Sequence, residues 1–370
     1  MHKPFESVIA LARFELSPQE VAHARQSLSE VRAWPVFMEH IELHGLSGIA
    51  AKHIRAHDLP LPTEQSRALK ALNLRHRAAS EARYIALQEL SEAFANASIE
   101  WLALKGVALM PMLYGAGELR PMRDIDLLLP QHQLNAAKAV IRQLGYLIAD
   151  QQPSKYMRDM HQLPNAVKTI NGFTVSLELH HDGFARDMRG HCYFPNSTAD
   201  LAQIQWRDLS MPVFAEAPML NQVTHHLRGM HPGAVLKLIN VMDVIGLAEQ
   251  MAQSGTLHEA LARYPELETT LRCLHVYTPL PEPLSNVLPP LPTQLVEGTG
   301  EVMVSFRTVM QSRAPLKRRL RWLLRPSDWW LHLYYNVDPE SSLWLIKWVR
   351  HPLRLVNWIG RRMISRLRGG

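Results

Sequence analysis

Apolar residues recur every three or four positions through much of the first hundred residues, and this spacing predicts helices. The clearest run extends from Leu69 to Phe94, and Pro60 and Pro62 mark a break before it. Helical spacing returns over residues 218–253. We therefore expect helical segments on both sides of the middle of the chain.

The middle of the chain follows a pattern that is typical of strands. Residues 99–104 form a short apolar run with a β-branched start, and residues 123–129 alternate acidic and apolar side chains before becoming wholly apolar. Asn171-Gly172 is a hairpin-turn signal, and an alternating strand over residues 173–180 follows it. The alternation is too irregular for a long doubly wound sheet. We predict an α+β fold with a small sheet core flanked by N-terminal and C-terminal helical segments.

Shifts in pattern and composition divide the chain into five predicted segments. These are an N-terminal helical segment over 1–98, a mixed core over 99–215, a helical segment packing on the core over 216–278, a Pro-rich linker region over 279–312, and a basic, Trp-rich tail over 313–370.

Composition and charge distinguish the tail from the rest of the chain. With 47% hydrophobic and 20% charged residues the composition is that of a folded protein, which excludes global disorder. The net charge of +6 hides an asymmetry, because residues 313–370 hold 13 basic and three acidic residues and six of the nine tryptophans. A tail of net charge +10 on a body of −4 indicates an anionic partner, either a membrane or a nucleic acid. The two cysteines, Cys192 and Cys273, exclude a disulfide framework and a cysteine zinc site.

The last part of the tail, residues 343–367, has the pattern of an amphipathic helix. Its basic residues step by three, four or seven positions along an otherwise apolar, Trp-rich sequence: Lys347, Arg350, Arg354 and Arg361. Such a helix is typical of a membrane interface, and Pro352 predicts a kink in it. Alternatively, the apolar face packs on the protein itself, or Trp and Arg bind nucleic acid; the broad aliphatic face favours lipid over bases. Because we find neither a signal peptide nor a spanning segment, we expect a cytoplasmic protein, with the tail peripheral on the inner face of the membrane.

The candidate chemistry begins with the two aspartates of the strand over residues 123–129. Asp124 and Asp126 point to the same face, because side chains alternate along a strand. If the strand over 173–180 is a neighbour, Glu178 completes a cluster of three carboxylates, which suits Mg²⁺ or Mn²⁺. The alternative is an exposed face on an edge strand. Close by, the turn at Lys105-Gly106 begins a predicted helix, where phosphates bind, and Arg120 and Arg123 could neutralise phosphate oxygens or be surface residues.

The same residues carry a resemblance to a known family. The sequences LKGVAL at 104–109, LY at 113–114 and RPMRDIDLL at 120–128 resemble the uncharacterised bacterial nucleotidyltransferase family of the DNA polymerase β superfamily. The later sequence LELH at 177–180 resembles the family's acid-x-His element. The resemblance extends over roughly residues 5–250. It implies a minimal polymerase-β-like sheet core and a nucleoside triphosphate (NTP) as substrate.

The resemblance also implies roles for these residues. Asp124 and Asp126 would hold two Mg²⁺ or Mn²⁺ ions, and Glu178 would hold the ion that activates the acceptor hydroxyl. The hydroxyl would attack the α-phosphate and release pyrophosphate. His180 would orient Glu178, touch a phosphate or simply pack in the core, and Lys237 would reach the distal phosphates.

One departure from the superfamily pattern keeps alternatives open. The superfamily's glycine motif ends in Gly-Ser, whereas Val107 follows Gly106 here, so that Lys105 would replace the serine contact. The chain could instead be a degenerate module that binds nucleotide or RNA without turnover, or a toxin–antitoxin-type transferase acting on protein or tRNA. The acceptor is left open among glycans, lipid-linked intermediates, peptides and proteins.

Overall fold

One seven-stranded mixed sheet organises the chain. The structure, a computed structural model, describes residues 3–148, 162–184, 190–229, 236–292, 327–357 and 360. The strands are β1 (Leu102–Ala103), β2 (Asp124–Leu128), β3 (Leu147–Ile148), β4 (Ala166–Ile170), β5 (Phe173–His180), β6 (Leu201–Trp206) and β7 (Leu209–Phe214). Their order across the sheet is β3-β4-β5-β2-β1-β7-β6. The predicted α+β class is confirmed.

The pairing of β2 with β5 brings the polar faces of the two strands together. The strands run parallel, with Asp124 opposite Ser176, Asp126 opposite Glu178 and Leu128 opposite His180. Ile125, Leu127, Val175, Leu177 and Leu179 are all buried. Because side chains alternate, burial of these apolar residues on one side fixes the acidic residues on the other.

Helices pack around the sheet. They are α1 (Lys3–Ala10), α2 (Pro18–Ser29), α3 (Trp34–Leu43), α4 (Ser47–Ala56), α5 (Thr63–Asn96), α6 (Lys105–Leu109), α7 (Leu134–Gln143), α8 (Glu216–Arg228), α9 (Leu238–Ser254), α10 (Leu257–Arg263), α11 (Glu266–Tyr277), α12 (Glu282–Val287) and α13 (Asp328–Tyr335). A wider π-helical turn, Met110–Tyr114, continues α6. Apolar side chains of the helices, the sheet and α13 form one continuous core.

The N-terminal helices hold the loop that leads into β2. A Cβ atom on Gly48 of α4 would lie 2.0 Å from the carbonyl oxygen of Glu118, so only glycine permits this approach. Similarly, a Cβ atom on Gly117 would lie 1.9 Å from the hydroxyl oxygen of Ser80 on α5. From α5, Arg83 donates a hydrogen bond of 3.0 Å to the carbonyl oxygen of Arg123. These contacts fix the start of β2.

One local prediction needs correction. The hairpin of β6 and β7 lies in a part of the chain for which we predicted no strands. The predicted linker region is described only over residues 279–292, which contain α12 and bury Leu280, Leu284 and Leu288. The predicted segment boundaries stay predictions.

The structure describes the tail over residues 327–357 and 360, and the rest of the tail lies outside the described residues. Helix α13 packs on α11, where the indole nitrogen of Trp329 donates a hydrogen bond of 2.7 Å to the carbonyl oxygen of Cys273. Residues 344–357 form a second helix, and a π-helical turn, Ile346–Arg350, precedes Pro352 within it. No helix among the described residues has the length and hydrophobicity needed to cross a bilayer.

Candidate active site

Three ionisable side chains meet where β2 and β5 lie side by side. One ligand atom from each of Asp126, Glu178 and His180 lies within 4.8 Å of the other two. Asp126 and His180 are buried, whereas Glu178 is half-buried. Asp124 lies two residues before Asp126 on the same face of β2 and is also half-buried.

Two donors hold one oxygen of Asp126. The ammonium nitrogen of Lys105 lies 2.6 Å from Oδ1, and Nε2 of His180 lies 2.8 Å from the same atom. Burial alone would raise the pKa of Asp126, but the charge of Lys105 and the hydrogen bond of His180 outweigh it, so the pKa falls well below its usual value. Within the described residues, Oδ2 accepts no hydrogen bond. Asp126 is therefore an ionised carboxylate with one oxygen fixed and the other available.

Glu178 is held in a similar way. Oε1 accepts a hydrogen bond of 2.9 Å from the side-chain amide of Asn165, and Oε2 lies 3.6 Å from Nε2 of His180. Burial raises the pKa of Glu178, but the hydrogen bond of His180 and the charge of Lys105 together outweigh this effect. The pKa of Glu178 is therefore lower than its usual value. A second ionised carboxylate thus faces the oxygens of Asp126.

Asp124 behaves differently from its two neighbours. Its pKa is raised by burial and by the negative charges of Asp126 and Glu178. No donor among the described residues binds its carboxylate. A half-buried carboxylate without a partner, next to two ionised ones, is unfavourable unless a cation shares the oxygens. The described residues whose ligand atoms lie close enough to hold a metal ion are Asp126, Glu178 and His180, and Asp124 adds a further carboxylate on the same face of the strand.

The turn at Lys105-Gly106, which we predicted to bind phosphate, directs a side chain to the carboxylates. Lys105 has a left-handed backbone (φ +48°) and directs its ammonium group to Asp126. Gly106 is buried, and a Cβ atom on it would lie 2.5 Å from Nη1 of Arg120. Val107, the residue in the place of the superfamily serine, is completely buried in the core.

Arg120, which we predicted to contact phosphate, has its guanidinium buried in an ion pair, and its role at a phosphate stays a prediction. Its Nε donates a hydrogen bond of 2.8 Å to Oδ1 of Asp243 on α9, and Nη2 binds Oδ2. The hydroxyl of Tyr114 donates to the same carboxylate at 2.9 Å. This cluster joins α9 to the π-helical turn and to the loop before β2.

Arg123 and Lys237 are the predicted phosphate ligands that stay accessible. Arg123 is exposed, Lys237 is half-buried at the start of α9, and neither forms an ion pair with a described residue. Burial and the nearby charge of Arg123 lower the pKa of Lys237 to about 8, while the charge of Asp124 acts in the opposite direction. The two cations therefore lie close to each other and to Asp124.

Three residues of this region were not predicted from the sequence to belong to the site: Asn165, His226 and Asp243. His226 is half-buried on α8, and burial together with the charges of Lys105, His180 and Arg120 lowers its pKa to about 3. A neutral imidazole thus lies beside the carboxylates.

Comparison with known proteins identifies the family. No protein of curated function matches the sequence. Two solved structures of ANT(2")-Ia are weakly similar: one in complex with adenylyl-2"-tobramycin (10% identity, 49% of this chain and 98% of that chain, TM-score 0.34) and a solution structure described as an antibiotic-resistance factor (13% identity, 51% and 94%, TM-score 0.33). Residues 30–278, about two thirds of the chain, match the sequence profile of a family described as uncharacterised nucleotidyltransferase. The chain belongs to this nucleotidyltransferase family.

Proposed function

We propose that the protein transfers a nucleoside monophosphate from an NTP to a hydroxyl group, with Mg²⁺ or Mn²⁺ as cofactor and release of pyrophosphate. The observation that supports this best is the juxtaposition of Asp126 and Glu178 on parallel neighbouring strands, with Asp124 on the same face. The match to a nucleotidyltransferase family supports the reaction class.

Asp124, Asp126 and Glu178 are the residues that would hold two divalent ions. Such ions stabilise the entering and leaving oxygens of an in-line displacement at phosphorus. The protein's contribution is to fix the ligand oxygens. Lys105 and His180 hold Oδ1 of Asp126, so that Oδ2 stays available as a ligand. Asn165 holds Oε1 of Glu178 in the same manner.

We assign the acceptor hydroxyl to Glu178 and the triphosphate to the two unpaired cations. Glu178 is ionised and half-buried, so it can accept a hydrogen bond from the attacking hydroxyl and position it. Arg123 and Lys237 lie near Asp124, where their charges would neutralise the β- and γ-phosphates as pyrophosphate leaves. Lys105 neutralises part of the negative charge of Asp126, and this contact does not require a serine at position 107.

The acceptor is the open part of the proposal. A glycan, a lipid-linked intermediate, a peptide or a protein would each supply a hydroxyl group. A chain held at the inner face of the membrane through residues 313–370 would meet membrane-proximal acceptors, and this localisation stays a prediction.

The test uses the full chain with each of the four α-³²P-labelled NTPs, Mg²⁺ and a lysate divided into membrane, protein and RNA fractions. We expect label in one fraction with the wild type and with Glu39→Gln, an exposed carboxylate on α3. Asp126→Asn and Glu178→Gln should abolish the labelling. Label in tRNA would indicate the toxin-type reaction, and tight nucleotide binding without labelling in any fraction would contradict the proposal in favour of a binding module.

A further inference from the structure

The helix over residues 344–357 exposes an unusual amount of apolar surface. In the described part of the chain, twelve large apolar residues are exposed, and half of them lie in this one helix. They are Trp344, Leu345, Trp348, Val349, Leu353 and Val356, and each is at least 40% exposed. We call these six residues the outer face. Contiguous apolar surface of this kind marks an interaction site on a folded protein.

The opposite side of the helix is anchored, so the outer face is preformed. Leu343, Ile346 and Leu355 are buried, and so is His351. Nδ1 of His351 lies 3.0 Å from the hydroxyl oxygen of Tyr335 on α13, and its ring packs edge-on against Trp330. The direction of the helix is therefore fixed by contacts with the body of the protein.

The cations of this helix contact α13 and therefore do not interrupt the outer face. The guanidinium carbon of Arg350 lies 4.9 Å from the ring centre of Tyr335, and that of Arg354 lies 4.5 Å from Tyr334. Lys347 pairs with Asp328 at 2.6 Å. Stacking on an aromatic ring leaves the charge of an arginine intact. The outer face is therefore apolar, with charged arginines next to it on the same helix, and this combination is complementary to acyl chains below anionic headgroups.

We propose that the outer face docks on a lipid bilayer that contains anionic lipids. Two observations favour lipid over a protein partner or a second copy of the chain. The outer face contains no charged residue and no hydrogen-bonding group except the two indole N–H groups, and tryptophan is enriched where an apolar phase meets water. In addition, the bordering arginines attract anionic headgroups as the apolar residues enter the interface. This surface goes beyond nucleotidyl transfer and does not depend on it.

The experiment is flotation of the full chain with vesicles of phosphatidylcholine, with and without phosphatidylglycerol. We expect the protein to float with the anionic vesicles, and to float less at 1 M salt, where the screening length falls to ~3 Å. Trp344→Ser/Trp348→Ser should lower the partition coefficient by about tenfold for each tryptophan, because burial of a large apolar side chain accounts for about that factor. The matched control is Leu74→Ser/Leu147→Ser, which removes two exposed leucines elsewhere and should float like the wild type.

Two further measurements keep the proposal open to refutation. Brominated acyl chains should quench the tryptophan emission of the wild type, and quench it less in Trp344→Phe/Trp348→Phe, which still binds. Equal flotation of the wild type and Trp344→Ser/Trp348→Ser, or no flotation of either, would overturn the proposal. It would also be overturned if sedimentation showed a dimer without vesicles that the serine variant dissociates, since the outer face would then be an interface between copies.

Discussion

Replacing Arg120 should destabilise the fold, because its partner would remain as a buried, unpaired charge. Arg120 and Asp243 are 6% and 3% exposed, and two hydrogen bonds join them. Removing one member of such a pair costs about 3–5 kcal/mol. We therefore expect Arg120→Met to lower the free energy of unfolding by about this amount. Asp243→Asn should have an effect of similar size, since it leaves the guanidinium buried without a counter-charge.

The double variant Arg120→Met/Asp243→Asn separates this explanation from a general loss of packing. It removes both charges and retains an acceptor for the hydroxyl of Tyr114. Its destabilisation should be smaller than the sum of the two single effects by about 2 kcal/mol or more, near the upper end for residues in contact.

The assay is urea unfolding followed by tryptophan fluorescence, with the exposed ion pair of Arg207 and Glu81 as the matched control. The double-mutant cycle of Arg207→Met and Glu81→Gln should give a coupling free energy of less than about 1 kcal/mol between the two side chains, as is usual for surface ion pairs. If the effects of Arg120→Met and Asp243→Asn add to within about 0.5 kcal/mol, the buried pair does not stabilise the fold as described. A stable Arg120→Met variant with a raised KM for NTP would restore Arg120 to the phosphate site.

Three further predictions concern the candidate site. Gly106→Ala should lower the unfolding free energy by about 1–3 kcal/mol, because its Cβ would meet Nη1 of the pinned Arg120, although helix propensity alone predicts a gain of ~1 kcal/mol. Asn165→Ala should weaken Mg²⁺ activation by about 10–100-fold with little change in melting temperature, since it frees Oε1 of Glu178. The KM for NTP should rise as the pH is raised through about 8, where Lys237 loses its proton, and Lys237→Arg should abolish the rise.

Each of these has an outcome that contradicts it. A Gly106→Ala variant more stable than the wild type would mean that Arg120 does not occupy the space. Unchanged Mg²⁺ dependence in Asn165→Ala would remove Asn165 from the support of Glu178. A KM profile that is the same in Lys237→Arg would assign the titration to another group. The same titration affects stability. Because folding lowers the pKa of Lys237 from 10.5 to about 8, the unfolded chain holds more protons between these pH values, and the free energy of unfolding rises with pH there.

The local parts of the fold and of the site could be predicted from the sequence, because their signals are local. The alternation in residues 123–129 identified β2, and the period of two put Asp124 and Asp126 on one face. That Glu178 joins them depended on β2 and β5 being neighbours, which the sequence could state only as a condition. The hairpin of β6 and β7 was missed because Pro212 argues against a strand and the turn uses Arg207, with φ +57°, in place of glycine or asparagine.

The long-range ion pairs could not be predicted. Arg120 and Asp243 are 123 positions apart in the sequence, and the sequence around each one predicts an exposed charged residue. Lys105 and Asp126 are a similar case, since a lysine at a phosphate-type turn gave no indication that it binds a carboxylate. In the tail, the helix was predictable, but which side faces outward depends on contacts with Tyr334 and Tyr335 that the sequence does not reveal.

The most direct test of the central claim is pyrophosphate release, measured together with label transfer from the preferred α-³²P-NTP in the presence of Mg²⁺. We expect one pyrophosphate for each labelled acceptor in the wild type and in Glu39→Gln, and neither product in Asp126→Asn or Glu178→Gln. Release of orthophosphate in place of pyrophosphate, or full transfer by Asp126→Asn, would contradict a nucleotidyl transfer carried by the carboxylates of β2 and β5.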